Sequence, residues 1–447
     1  MTSLKNDIRI IWLFPILLTV IISVLYSVSH TQDEEQIRKK ERRIHFLIYE
    51  EKNFDAALIL CREIIAVEDP EDIPSDIKYD VERYIHLIEN YSDYDQKPLS
   101  LFFETERIKR MWRRGHGHTK KFKLEEGNLY RDILKTYPLC KLAGYVQYLL
   151  AKHYKGNIGN NLSYLDNEKA RQEAIGAYQE IIEKYPDSLF PLDEYYERKD
   201  SKITLYAQLN IGWLYESSSH VEPKIDEAIN AYYKTIDMFS NELENAETRK
   251  LILGVYVSLL RIYSGETVRG KYIDMSKVKE ICSVLLNDFP NQQYEEKGFL
   301  FGETHPVAYM TLAKLENDKN KAIGYCQRIV ENYPESTGGQ LNTCAIGRYS
   351  FEALEQIIYL LNDTQLAIRK YEEIINSVSD KPLRVYSQYK IAEMYETKLN
   401  DLHRAKIEYK KVLEYFDDNN FYEEEGPTFG GNAKRAIERI EEKLKGE

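Results

Sequence analysis

The densest chemistry in this chain lies between Arg107 and Lys123, in the stretch RIKRMWRRGHGHTKKFK. Arg107, Lys109, Arg110, Arg113, Arg114, Lys120, Lys121 and Lys123 surround Trp112 and Phe122, with no acidic residue among them. Guanidinium groups hold phosphate or carboxylate through paired hydrogen bonds. The segment therefore reads as an anion patch for a lipid headgroup, an acidic protein face or a polyanion. The competing reading is a solvated connector whose charges pair with acidic neighbours. His116 and His118 offer two metal ligands, too few for a site. Gly265–Lys271, GETVRGK, has the glycine and lysine spacing of a phosphate loop. However, Tyr272 stands where a magnesium-binding hydroxyl is required, and helical sequence precedes it where a strand is needed. No H-E-x-x-H or G-x-S-x-G occurs, and no nucleophile, base and orienting group can be assembled. The chain is read as not an enzyme, with no cofactor and no metal.

Composition narrows the partners. A net charge of −12 over 447 residues repels nucleic acid and anionic membrane surfaces, so no nucleic acid is expected as a partner and any anion binding must be local. With 36 tyrosines against 21 glycines and 13 prolines, the chain is built for packing. Cys61, Cys140, Cys282, Cys326 and Cys344 are odd in number, widely spaced and never in a C-x-x-C pair, which gives neither a disulfide framework nor a zinc site.

Two kinds of element must position these residues. From Ile10 to Val28, IIWLFPILLTVIISVLYSV carries no charge, and about 20 apolar residues span a hydrocarbon core. It is read as a single-pass N-terminal membrane anchor. A cleaved signal peptide competes with that reading, because Lys5 and Arg9 precede the run and small residues end it. Lys5 and Arg9 favour an inside N-terminus, and the basic residues from Arg38 to Arg43 pull the other way. The expectation is that the bulk of the chain lies outside the cytoplasm, in a periplasmic or cell-surface location.

The rest is repetitive. In AIGAYQEIIEKYP, Ala174, Tyr178, Ile181 and Ile182 share one helix face, and Pro186 stops the helix. The layout returns at Ala322, Cys326, Ile329, Val330 and Pro334, and at Val278, Cys282, Leu285, Leu286 and Pro290. Looser copies surround Tyr232, Tyr371, Tyr409 and Cys61. Each is preceded by a second helical pattern, such as YAQLNIGWLYE or YSQYKIAEMYE, in which a small residue (Gly212, Ala392) stands three before a tyrosine (Tyr215, Tyr395). Such a hairpin is too small to bury its own apolar face, so hairpins stack.

This pattern resembles the tetratricopeptide repeat family, from about Glu34 to the end. The clearest unit runs through Phe351, Leu354, Ile358, Ala367 and Tyr371. The endings TYP, KYP, DFP and NYP make it similar to tetratricopeptide proteins of bacterial cell envelopes, including barrel-assembly and Tol-Pal-associated factors. The resemblance implies an all-α fold, an α-solenoid of about eight hairpins forming a superhelix, preceded by a transmembrane helix. Expected boundaries are 1–30 for the anchor, 31–100 for N-terminal hairpins, 101–425 for the solenoid and 426–447 for a capping helix that starts at Asn432 and buries Ala433, Ile437 and Ile440. Inner helices of such a stack place Tyr145, Tyr148, Lys152, Tyr206, Trp213, Arg261, Tyr386 and Tyr389 on the concave side, as a groove for a protein or peptide. Tyr148, Leu209, Val257 and Tyr389 occupy places where chaperone-binding members carry a clamp lysine, so that clamp is not expected. The implied function is a membrane-anchored scaffold or adaptor in the cell envelope. The alternative is a helical platform of an envelope or cell-wall enzyme complex, gripping an anionic polymer or lipid headgroup through residues 107–123.

Overall fold

The computed structural model describes residues 34–66, 73–92, 96–113, 120–160, 163, 165–191, 201–216, 220–267, 272–296, 299–336, 349–415 and 429–446. They form helices α1 (34–46), α2 (Phe54–Ile65), α3 (Ser75–Tyr91), α4 (Lys97–Arg113), α5 (Lys120–Thr136), α6 (Ala143–Lys155), α7 (Asn167–Lys184), α8 (Ile203–Glu216) and α9 (Ile225–Phe239). These are followed by α10 (Ala246–Tyr263), α11 (Met275–Asn287), α12 (Thr304–Leu315), α13 (Lys319–Asn332), α14 (Tyr349–Leu361), α15 (Thr364–Ser377), α16 (Lys381–Thr397), α17 (Leu402–Tyr415) and α18 (Phe429–Gly446). A π-helical turn, Leu47–Glu51, prolongs α1. The fold is all-helical, with one short insertion: β1 (Gln293–Glu296) and β2 (Phe299–Glu303) pair as an antiparallel ribbon between α11 and α12. Among the described residues no helix is long and apolar enough to cross a membrane. The apolar run 10–28 lies outside them.

Two compact units divide the chain, Met1–Ala231 and Tyr232–Glu447. Within each, a helix touches its chain neighbours and, in places, the next helix but one: α6 meets α7 and α8, while α10, α12, α14, α16 and α18 touch in succession. That is the contact pattern of stacked hairpins. The second helix of each hairpin is written locally. Asp166 caps α7 by accepting from the Lys169 amide, and Asp274, Asp318 and Asp363 do the same for α11, α13 and α15. The repeat positions Ala174, Tyr178 and Ile181, like Ala367 and Tyr371, fill the core.

Two recurring bonds complete the unit. Gln147, Gln208 and Gln388 each stand four before the small residue of a first helix. Each donates from Nε2 to a carbonyl of the second helix, Ala177 (3.2 Å), Ala231 (3.2 Å) and Glu408 (3.4 Å), always just before the repeat tyrosine. The corner after the closing proline is also reused. The amides of Ile203, Thr304 and Tyr349, each opening a first helix or the step into it, donate to the carbonyls of Ser188, Gln292 and Ser336, two residues after a proline. The hydroxyls of Thr204 and Ser350 donate to the carbonyls of Pro186 and Pro334. Gly144 is required where this corner presses on α6, because a side chain there would collide with Ser188. The last helix departs from expectation: α18 begins at Phe429, so Asn432 lies inside it, and Ala433, Ala436 and Ile440 are its buried residues while Ile437 is partly covered.

Candidate partner-binding wall and basic segment

Successive first helices leave a seam between them, and in the first unit Phe190 fills it. This residue, four after Pro186, is held by its own amide bonding to the Ser201 carbonyl. Its ring lies 4.8 Å from Tyr148, 5.0 Å from Tyr206 and 6.2 Å from Tyr145. Tyr145, Tyr148 and Tyr206 are consequently only 3%, 2% and 1% exposed. Trp213, at 6%, lies under the Lys155 ammonium, 5.7 Å from its ring, and Lys155 also donates to Asn210 Oδ1 (2.7 Å).

The second unit closes its seam differently. Phe351 and Tyr386 stack at 4.5 Å, Phe429 packs edge-on to Tyr386, and Tyr386 is 8% exposed. Below them Glu355 Oε1 accepts from the hydroxyls of Tyr386 (2.5 Å) and Tyr371 (2.8 Å). Burial, reinforced by this carboxylate, holds both tyrosines well above the usual phenol range.

The expectation of an open aromatic wall is thus corrected at Tyr145, Tyr148, Tyr206, Trp213 and Tyr386, which belong to the packed interior. Of the remaining predicted wall residues, Lys152 is exposed with its ammonium 5.8 Å over the Tyr148 ring. Arg261 is half-buried and donates to the Tyr294 hydroxyl (3.4 Å). Tyr389 is half-exposed, 5.5 Å from the rings of Tyr409 and Phe429. Next to it Lys390 and Glu393 are half-buried and pair with each other (2.9 Å).

Four of the eight cations of the basic segment are engaged. Arg107 pairs with Glu104 and Lys109 with Glu106 and Glu126. Arg110 donates to Asp80 (2.8 Å), to the Tyr84 hydroxyl (2.6 Å) and to His45 Nε2 (3.0 Å), its guanidinium lying within 6 Å of both the Tyr49 and Tyr84 rings. Burial works to lower the Arg110 pKa, and Tyr84, Tyr49 and Asp80 outweigh it, keeping the group charged. Glu41, His45 and Asp80 bring three ligand atoms within 4.8 Å of one another. Arg110 binds two of those three groups and is the cation the cluster holds. Burial would push the Glu106 carboxyl up, but Arg83, Lys109 and Arg110 prevail and hold it at about 2. Lys123 is buried and donates to the Gly156 carbonyl. The view of 107–123 as a free anion patch is corrected at Lys109, Arg110 and Lys123. Lys120 and Lys121 are exposed, Arg113 ends α4, and Arg114, His116 and His118 lie outside the described residues. In the GETVRGK stretch, Gly265 has a positive φ and Glu266 bonds back to the Arg261 carbonyl, so Gly265–Thr267 is the exit turn of α10, while residues 268–271 lie outside the described residues.

Sequence reasoning missed the seam wedge and the interhelical glutamines. Both had signals: an aromatic four after a closing proline (Phe190, and Tyr294 after Pro290), and glutamine four before each small residue. The partners of Arg110 had none, since His45 and Asp80 lie 65 and 30 residues away.

The tetratricopeptide repeat family profile matches residues 145–188 and 309–336. These stretches contain α6 with α7, and α12 with α13, each closed by its proline corner. The chain therefore carries tetratricopeptide repeats, which generally mediate protein–protein interaction and typically form non-enzymatic scaffolds. A solved tetratricopeptide repeat protein from Parabacteroides merdae is similar at 10% identity over 78% of this chain and 100% of that one, with a TM-score of 0.31. No curated protein matches the sequence.

Proposed function

We propose that the chain is a membrane-anchored scaffold of the cell envelope that binds a protein or peptide through the polar edge of its first-helix layer. Supporting this is the sealing of the seams: with Tyr145, Tyr148, Tyr206, Trp213 and Tyr386 consumed in packing, the predicted wall leaves Lys152 exposed in the first unit and Tyr389 half-exposed in the second, beside a half-buried Lys390 paired with Glu393. Such groups recognise a partner by charge and hydrogen bonding, which gives specificity and association rate. The uncharged run 10–28 supports the anchor, with the folded part outside the cytoplasm.

Cross-linking the anchored protein in its native membrane, followed by identification of what it holds, tests the reading. Reproducible capture of one partner is expected, lost on Lys152→Glu or Lys390→Glu. Capture that is indifferent to both substitutions, or absent, overturns it. Among the described residues the anionic-polymer alternative has Lys120 and Lys121 to work with, and K120E/K121E with retained capture separates the two.

A further inference from the structure

We infer that α1 lies on the bilayer surface and docks the first hairpin onto anionic lipid headgroups. The inference rests on the proposed membrane anchor. Between Val28, where the apolar run ends, and residue 34, where α1 begins, five residues, six Cα-to-Cα steps, reach about 20 Å at full stretch. Once the run spans the membrane, α1 cannot leave its immediate neighbourhood.

What α1 shows to its surroundings fits that place. Ile37 and Ile44 are buried, followed by Leu47 and Ile48 in the π turn. The opposite stripe, at i, i+3, i+4 and i+7, is Lys39, Arg42, Arg43 and Phe46, and all four are exposed. Lys39 and Arg42 have no ion-pair partner among the described residues. Arg43 lies 5.0 Å over the Phe46 ring and also bonds Glu51 (3.1 Å). Phe46 itself is 46% exposed, one of the more exposed large apolar side chains of the first unit. The acidic residues of this face, Glu35 and Glu50, stand at its two ends, so its middle is basic and aromatic. Such a stripe matches an anionic interface, with cations at phosphate level and the ring at the acyl boundary. A neutral surface or a protein face would not be selected by proximity, because only the bilayer is brought there by the chain itself.

The test places a photo-crosslinking residue on this face, Phe46→p-benzoylphenylalanine, in the full-length chain in nanodiscs of phosphatidylcholine with or without 30% phosphatidylglycerol. Irradiation is followed by mass analysis for a phospholipid adduct. Lipid adducts in anionic discs are expected, reduced about tenfold by K39E/R42E, with none from the same group at Tyr359. If the chain co-purifies with discs but position 46 yields no adduct, docking is overturned and the anchor stands. Equal adducts in both lipids, unchanged by K39E/R42E, overturn the anionic recognition. A chain that elutes free of discs overturns the anchor and the docking together.

Discussion

The two seams between first helices solve one geometric problem with opposite chemistry. In the first unit a loop aromatic, Phe190, is wedged among Tyr145, Tyr148 and Tyr206. In the second, a carboxylate, Glu355, joins the hydroxyls of Tyr371 and Tyr386 beneath a stacked aromatic pair. An apolar wedge is held by volume and contact, so cutting it leaves a hole. A polar junction is held by mutual satisfaction, so cutting it leaves two part-buried hydroxyls to find other partners. Shared repeat architecture therefore does not imply shared energetics.

The comparison breaks most readily at the wedge. Phe190→Ala is expected to cost about 3–5 kcal/mol, as for other buried phenylalanines. Urea denaturation measures this, and a loss under about 1 kcal/mol would show that the wedge is dispensable. Glu355→Ala is expected to cost less, about 1–3 kcal/mol, from two lost hydroxyl–carboxylate bonds, and Glu355→Gln to recover part of it because an amide oxygen still accepts. The junction has an alkaline signature as well. Tyr371 and Tyr386 have pKa values raised in the folded state, by burial first and Glu355 next. Their contribution is present below the unfolded phenol pKa of about 10 and is lost as pH rises above it. The slope of stability above pH 10 should flatten in Glu355→Ala. An acid signature belongs to the basic segment: Glu106, held at about 2, contributes stability above the unfolded carboxyl value of about 4.3 that is lost as pH falls toward 2. Glu106→Gln should remove that limb from an acid titration of the fold. The interhelical glutamines sharpen what the units share. Gln388→Ala is expected to cost about 1.5–3 kcal/mol because its amide also donates to the Glu408 carboxylate (2.9 Å), and Gln147→Ala, the smallest effect, about 1 kcal/mol, by thermal melts.

Legibility followed the range of the interactions. Helix faces and stops were readable because Ala174, Tyr178, Ile181 and Pro186 lie within one local period, and the match at 145–188 falls on that unit. Cys61, Cys282 and Cys326, which stand at the repeat position that Tyr178 holds in its own unit, are buried in the same way. The wall was misplaced because helical phase identifies the side of a helix, while Phe190 and Phe429 arrive from outside it and cover that side. The basic segment was misjudged because counting cations along the chain ignores Asp80 and Glu126, which the fold brings against Arg110 and Lys109. The ribbon of β1 and β2 had no alternating pattern of its own, and Tyr294 is held there against α10.

The three buried cysteines have a practical consequence. Burial pushes each thiol up to about 12 and leaves each at most 1% exposed, and only an accessible thiolate attacks an alkylating reagent, so each is unreactive while its hairpin stays closed. Each thiol then becomes a clock that starts when its own hairpin opens, and modification rates at Cys61, Cys282 and Cys326 would time three separate hinges in one untreated chain.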